Sequence, residues 1–146
     1  TKMKVATVLS IFLAIIFFIP SMASAEERQI PVAPQEYIDV ENPVDVDDID
    51  EGFLKKVGKL YKRKCKKCHG TEGDGKGSAA DDMEIEPTAF TAPGYLKSRV
   101  DGQLYWILEK GSANTEMKAY GPGTDVNLSE EELWQLIAFI RHRFTR

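Results

Sequence analysis

The chain has 146 residues, 42% of them hydrophobic and 29% charged, and its net charge is −4. No period of about 20–50 residues repeats, which excludes a solenoid. Beyond residue 25 no stretch approaches the roughly 20 apolar residues of a membrane-spanning helix, so we expect that part of the chain to be soluble.

The first 25 residues have the pattern of a signal peptide. Lys2 and Lys4 precede an apolar run over residues 5–19, and the Ala-Ser-Ala of residues 23–25 is typical of a cleavage site. The apolar run is shorter than the roughly 20 residues that span a bilayer as a helix. We therefore expect cleavage after Ala25 and export to the periplasm. An uncleaved N-terminal membrane anchor is the alternative.

Charge divides the rest of the chain at residue 51. Residues 26–51 hold ten acidic residues, one basic residue and three prolines, whereas residues 52–146 hold 16 basic and 13 acidic residues, net +3. An acidic, proline-containing stretch without amphipathic period favours an extended, poorly packed segment. We predict that residues 26–51 form an acidic arm that is mainly a solvated linker. An arm that docks a partner or covers the body itself is the alternative.

The body, residues 52–146, is predicted to be all-α, because helical periods occur and no strand pattern competes with them. The first helix would begin at Asp48 or Asp50 as a cap and run into Cys65, with one apolar stripe: Phe53, Leu54, Val57, Leu60 and Tyr61. The second helix would span residues 101–111, capped by Asp101 and ended by Gly111, with a buried stripe of Leu104, Tyr105 and Leu108.

The third helix is predicted to start at Ser129, which forms a capping box with Glu132. Leu128 and Leu133 flank this box as a hydrophobic staple, and an apolar stripe follows: Trp134, Ile137, Ala138 and Ile140. Three helices joined by long loops in so small a body indicate that the loops wrap something or carry function.

The sequence CKKCH, residues 65–69, matches the C-x-x-C-H signature of covalent haem c attachment. Cys65 and Cys68 would form thioethers with the two haem vinyl groups, and His69 would bind the iron as the proximal ligand. The haem is therefore the expected cofactor.

Other chemistries explain this motif less well. A thioredoxin-like dithiol needs a preceding strand, and a structural zinc site would have to recruit the remote His142 as its fourth ligand. A disulfide leaves His69 without a role. The glycine-rich loop after the motif imitates a phosphate-binding loop, but Gly77 stands where Ser or Thr would bind magnesium.

A low-spin electron-transfer haem needs a second axial ligand, and three side chains are candidates. His142 lies near the end of the last predicted helix, where a solvated histidine is the simpler interpretation. Met83 follows the glycine-rich loop closely. Met117 lies 48 residues after His69 in a glycine-bounded loop that is long enough to cross the far haem face. Since Met/His pairs are used in cytochromes c, Met117 is the predicted ligand.

With these residues identified, the body resembles the class I cytochromes c, in particular the small bacterial members with one haem. The resemblance covers about residues 53–146, and its features are the CKKCH motif, Met117 with the following AYG, and LSEEELWQLIAFIR. It implies a three-helix fold around one covalent haem, with the first and last helices packed crosswise. It also implies attachment through Cys65 and Cys68 and iron ligation by His69 and Met117.

The resemblance implies finer details too. The carbonyl of Pro87 would hold the proximal imidazole, and Tyr61 and Trp134 would lie at helix contacts. Two positions depart from the family pattern. Met117 is followed by Lys rather than by Pro, and Val57 stands where the family usually has a small residue, with Gly58 one position later.

The predicted function is a one-electron carrier that meets redox partner proteins, with no nucleic acid and no small-molecule substrate. The alternative is a haem-bearing subunit of a larger oxidoreductase, docked through the acidic arm. A haem sensor or peroxidase is disfavoured, since no distal His and Arg pair lies near Met117.

A basic cluster beside the motif would steer acidic partners or simply be a solvated face: Lys55, Lys56, Lys59, Lys62, Arg63, Lys64, Lys66 and Lys67.

Overall fold

The protein is described here by a computed structural model that covers residues 30–146, so the predicted signal peptide and the first four residues of the arm lie outside it. The helices are α1 (Gln35–Ile38), α2 (Glu51–Lys64), α3 (Lys66–His69), α4 (Asp101–Lys110) and α5 (Glu130–Phe144), with 3-10 turns at Val46–Asp48 and Ala80–Asp82. Residues 30–146 contain no strand, which confirms the all-α prediction. Over the same residues, none of the helices has the length and apolarity required to cross a bilayer.

The contact between α2 and α5 brings the two longest helices together beside the CKKCH motif. Asp50 caps α2 by accepting from the amide of Phe53, as predicted. Gly58 faces the ring of Phe139 on α5, and a Cβ at this glycine would lie 3.4 Å from that ring. The small residue at the contact is therefore Gly58, one position later than the family pattern would place it, while the neighbouring Val57 is fully buried.

Helix α5 starts and packs as its sequence predicts. The side chain of Ser129 accepts from the amide of Glu132, and the Glu132 carboxylate accepts from the amide of Ser129, which completes the capping box. Leu128 and Leu133, on either side of the box, are both buried in the core. The predicted stripe that begins at Trp134 is also buried, and the Trp134 ring stacks on Tyr105 of α4 with 4.1 Å between centroids.

The predicted start of α4 needs one correction. Gly111 ends the helix with a φ of 80°, as expected, but the N-cap is Val100, and the side chain of Asp101 caps nothing. Asp101 instead forms an ion pair with Arg141 of α5. Arg141 also donates to the carbonyls of Leu96 and Arg99, at 2.7 and 2.5 Å. Arg141, which lies 40 residues away in the sequence, thus pairs with the Asp101 carboxylate that was expected to cap α4. This contact connects α5 to the start of α4.

The prediction of a solvated, poorly packed arm is wrong for part of its described length, although most of residues 30–51 are exposed. Ala33 is buried, and the hydroxyl of Tyr37 donates to Glu109 of α4 at 2.8 Å. The side chain of Asn42 donates to the carbonyl of Trp134 on α5 at 3.3 Å. The arm thus covers the body, which was the alternative interpretation. It packs on α4 and α5, and within residues 30–146 no ion pair joins it to the basic cluster of α2.

Candidate cofactor site

A deep cavity lies between the CKKCH motif, helices α4 and α5 and two long loops. It encloses about 1170 Å³ of atom-free space, including its open mouth. Its wall is mainly apolar and includes Ile85, Phe90, Leu104, Ile107, Leu108, Ile137 and Ile140. Cys65, Cys68, His69 and Met117 all line this one cavity, so the structure brings together every predicted site residue.

His69 is positioned by α3 and by the loop that passes its ring. Its Nδ1 lies 3.0 Å from the carbonyl oxygen of Thr88, and since a carbonyl only accepts, Nδ1 carries the proton. The lone pair is then on Nε2, the arrangement of a histidine that binds a metal. Burial lowers the pKa of His69, against a smaller opposite effect of the Thr88 carbonyl, and this favours the neutral imidazole that ligation requires. The ring of Phe90 stacks on the imidazole with 4.5 Å between centroids.

The carbonyl that holds the imidazole is therefore not that of Pro87. The predicted proline lines the cavity, but the acceptor is the next residue, Thr88. The family pattern led to the right segment and to the wrong carbonyl. The sequence alone offered no signal for Thr88, because any residue supplies a backbone carbonyl.

The two cysteines are free thiols: Cys65 is the N-cap of α3, and Cys68 lies within this short helix. Burial raises the pKa of Cys65 to about 12, the neighbouring Cys68 adds to that effect, and Lys64 opposes it. Cys68 is half-buried at the cavity wall. Because about one helical turn separates them, both cysteines line one cavity, as the two-residue spacing predicts.

The glycine-rich loop folds back against the attachment turn. The amide of Gly75 donates to the carbonyl of His69 at 2.9 Å, and the amide of Gly77 donates to that of Cys68 at 3.0 Å. A Cβ at Gly77 would lie 2.2 Å from the carbonyl oxygen of Lys67, so only glycine allows this approach. The glycines thus allow the loop to pack against α3 and to hydrogen-bond to its carbonyls, and no phosphate-binding role is needed to explain them.

The loop that carries Met117 is closed by its own hydrogen bonds. The amide of Ser112 donates to the carbonyl of Met117 at 2.8 Å, and the amide of Met117 donates to the hydroxyl of Thr115 at 3.0 Å. These bonds hold the backbone on both sides of the half-buried side chain. A lysine after Met117, instead of the usual proline, therefore does not leave this loop without support.

Tyr120 is a site residue that the sequence did not reveal. Its hydroxyl donates to the carbonyl of Lys64 at the end of α2, and its amide donates to the carbonyl of Leu108 on α4, at 3.1 and 3.0 Å. Its carbonyl accepts from the amide of Leu128 at 2.9 Å. One residue of the Met117 loop therefore joins three elements around the cavity.

The other two candidates for the distal ligand differ in position. Met83 lines the same cavity as Met117, next to Ile85. His142 is exposed and lines a separate surface groove between the arm, α4 and α5. The structure therefore separates His142 from the candidate site and brings both methionines to it.

The residues present suit a covalently bound haem. Two thiols and one oriented imidazole lie on one wall, two thioethers are available, and the remaining wall is apolar enough for a large flat macrocycle. Among residues 30–146, no group of three or more His, Cys, Asp and Glu residues could hold a metal ion alone.

A protein-family model and several solved structures match this chain. The family model described as Cytochrome c matches residues 54–143. A chain of the Kuenenia stuttgartiensis reducing HAO-like protein complex shares the fold, with a TM-score of 0.53 and 23% identity over 73% of this chain. This chain spans only 50% of the length of that structure. No curated protein sequence matches this chain.

Two other solved structures are more distant in geometry. Cytochrome cL from Hyphomicrobium denitrificans has a TM-score of 0.47 and 29% identity, covering 76% of this chain and 63% of its own. Cytochrome cL from Methylophaga aminisulfidivorans has a TM-score of 0.49 and 22% identity, covering 68% of this chain and 61% of its own.

Proposed function

We propose, from the premise that the chain belongs to the cytochrome c family, that it is an exported one-electron carrier with His69 and Met117 as the axial ligands of its haem c. The observation that supports this most directly is that both cysteines, His69 and Met117 line one apolar cavity. When bound, the haem supplies reversible one-electron exchange between ferric and ferrous iron. Cys65 and Cys68 hold it through thioethers, and Thr88 fixes the orientation of the proximal ring.

Met117 is the better distal ligand of the two methionines because its backbone is the more firmly held. Hydrogen bonds within residues 112–117 fix its loop, and Tyr120 ties the following segment to α2 and α4. Met83 follows a single 3-10 turn, and its amide donates to Ala80 at 3.2 Å. A thioether is a weak ligand, so it depends on the surrounding chain for its position.

The test compares two matched variants of the holoprotein, Met117→Ala and Met83→Ala. Met117→Ala should open the iron site, so that carbon monoxide or cyanide binds readily and the oxidised visible spectrum changes. Met83→Ala should leave the spectrum and the midpoint potential nearly unchanged. Met117→His should keep a six-coordinate haem and lower the potential, because imidazole is the stronger donor to ferric iron. A native spectrum in Met117→Ala together with a changed one in Met83→Ala would reverse the assignment.

The carrier should exchange electrons with redox partner proteins and bind no small substrate. The basic cluster supports docking to an acidic surface, because seven of its eight residues are exposed beside the attachment turn. Opposite charges on the two partners raise association rates by about 10–10³ at low salt. Electron-transfer rates should therefore fall as ionic strength rises, and rates independent of salt would argue against this docking surface.

The alternative, a subunit docked through the acidic arm, has less support. Residues 33–42 already contact α4 and α5 of the same chain, so those contacts are not free for a partner. A sensor or peroxidase needs an open iron site instead. Carbon monoxide binding to the native ferrous protein at neutral pH would favour that function over the carrier.

Export to the periplasm is part of the proposal, and its support is the pattern of residues 1–25 alone. Intact mass of the protein recovered from the periplasm tests both export and maturation. The expected mass is that of residues 26–146 plus one covalent haem. A mass that includes residues 1–25 in a membrane fraction would favour the anchored alternative.

A further inference from the structure

Part of the cavity lining comes from residues that precede the family match. Ile30 and Pro31 line the cavity beside Leu104 and Ile107 of α4, although the match to the family begins only at residue 54. Exposure differs sharply within this stretch: Ile30 and Pro31 are half-buried, Val32 is 80% exposed and Ala33 is 5% exposed. We call residues 30–33 the strap. It has no regular secondary structure, and Ile30, Pro31 and Ala33 contact the body.

Gln103 of α4 holds the strap by its backbone. Its Oε1 accepts from the amide of Ala33 at 2.8 Å, and its Nε2 donates to the carbonyl of Pro31 at 2.9 Å. Gln103 is only 8% exposed, and apart from tyrosine, tryptophan and cysteine it is the one buried polar or charged side chain in the described part of the chain. A buried amide without partners is costly, so the two bonds stabilise both the side chain and the strap.

The rest of the arm has a separate attachment to α4. Tyr37 bonds to Glu109, and its ring stacks on Tyr105 with 6.3 Å between centroids. Its carbonyl approaches Gly102 so closely that a Cβ there would lie 1.7 Å from the oxygen. Loss of the Gln103 bonds should therefore free residues 30–33 while the arm remains attached around Tyr37.

We propose that Gln103 is a positioning residue that keeps the strap in place as a wall of the haem cavity, and that the strap thereby limits the access of water to the haem. This rests on the proposed haem site. The apolar shell around a metal centre controls solvent access and local dielectric, and so the reduction potential. Water near the haem stabilises the ferric form, which carries one more positive charge, so a loosened strap lowers the midpoint potential.

The experiment uses the holoprotein and the near-isosteric variant Gln103→Met. Its control is Gln135→Met, because Gln135 bonds only to Glu131 on the surface of α5. Hydrogen exchange at the Ala33 amide should be about tenfold faster in Gln103→Met, as expected for the loss of one hydrogen bond. The midpoint potential should fall, and cyanide should bind the ferric protein faster. The control should match the wild type in all three measurements.

A second variant lacks residues 26–33 and leaves α4 unchanged, so it tests the strap even if Gln103→Met does not fold. It should have the same lowered potential. A wild-type potential in this variant, with one covalent haem confirmed by mass, would overturn the shielding role. Faster exchange at Ala33 with no change in potential would overturn it too. If the wild-type protein carries no covalent haem, the proposed function itself fails, which is a distinct outcome.

Discussion

Phe144, the last residue of α5, connects the end of that helix to the proximal histidine. It is 1% exposed, and its ring lies 5.3 Å from that of Tyr61 and 6.1 Å from that of Phe90. Phe90 in turn stacks on His69. The Phe144 ring also packs against Gly73, because a Cβ at this glycine would lie 2.8 Å from the ring. We therefore expect Phe144→Ala to be among the costliest single truncations in this chain.

The magnitude follows from burial. Truncation of a fully buried Phe to Ala costs about 3–5 kcal/mol, through lost transfer free energy and the cavity that remains. Because the ring packs against several other rings, about 4 kcal/mol is expected for Phe144→Ala. In a domain of this size each kcal/mol lowers the melting temperature by about 4 °C, so the fall should be about 15 °C. Urea unfolding and thermal melts of the holoprotein, followed by far-ultraviolet circular dichroism, measure both quantities.

The control is Phe53→Ala, at the first turn of α2. This side chain is half-buried and packs against the edge of the core, so its truncation should cost about 1–2 kcal/mol. A cost below about 1.5 kcal/mol for Phe144→Ala, or one no larger than that of the control, would refute the expectation. Either result would mean that the end of α5 is only loosely packed around the proximal ring.

Three further predictions concern the arm, the α4–α5 contact and alkaline pH. Arg141→Met should cost about 3 kcal/mol in urea unfolding, because an ion pair and two carbonyl bonds are removed; the exposed Arg143→Met should cost less than about 0.5. Gly102→Ala should displace the carbonyl of Tyr37, so limited proteolysis should cut the arm faster, and unchanged cutting would contradict the close approach. Burial raises the pKa of Tyr120 from 10.0 to about 12, so the folded state retains a proton that the unfolded chain loses. The melting temperature should therefore fall as pH rises from 10 to 12, and less steeply in Tyr120→Phe.

The features that the sequence predicted correctly are determined by neighbours in the chain. The capping box of Ser129 and Glu132 spans four residues, and the CKKCH motif spans five. The buried stripes of α2 and α5 repeat at the helical period, so a short window contains the whole pattern. For the same reason the all-α fold and the attachment site could be predicted without any knowledge of tertiary contacts.

The features that it missed depend on partners far away in the sequence. Ala33 meets Gln103 across 70 positions, and Asp101 meets Arg141 across 40. The composition of the arm is that of a disordered segment, but its few apolar and amide groups find matching groups on α4 and α5. Composition averages over residues, whereas packing depends on individual ones, so the acidic residues concealed the contacts of Ala33 and Tyr37.

Tyr120 has a consequence for how fast the site exchanges electrons. In the proposed carrier, each transfer would change the charge of the site by one unit, and surroundings that must rearrange after every change would slow the reaction. Tyr120 bonds to α2, to α4 and to the residue before the capping box of α5, and these hydrogen bonds link the walls of the cavity and oppose their relative movement. Polar groups already fixed in place need no reorientation when the charge changes. We therefore expect the hydrogen bonds of this single loop residue to keep the reorganisation energy of the site small.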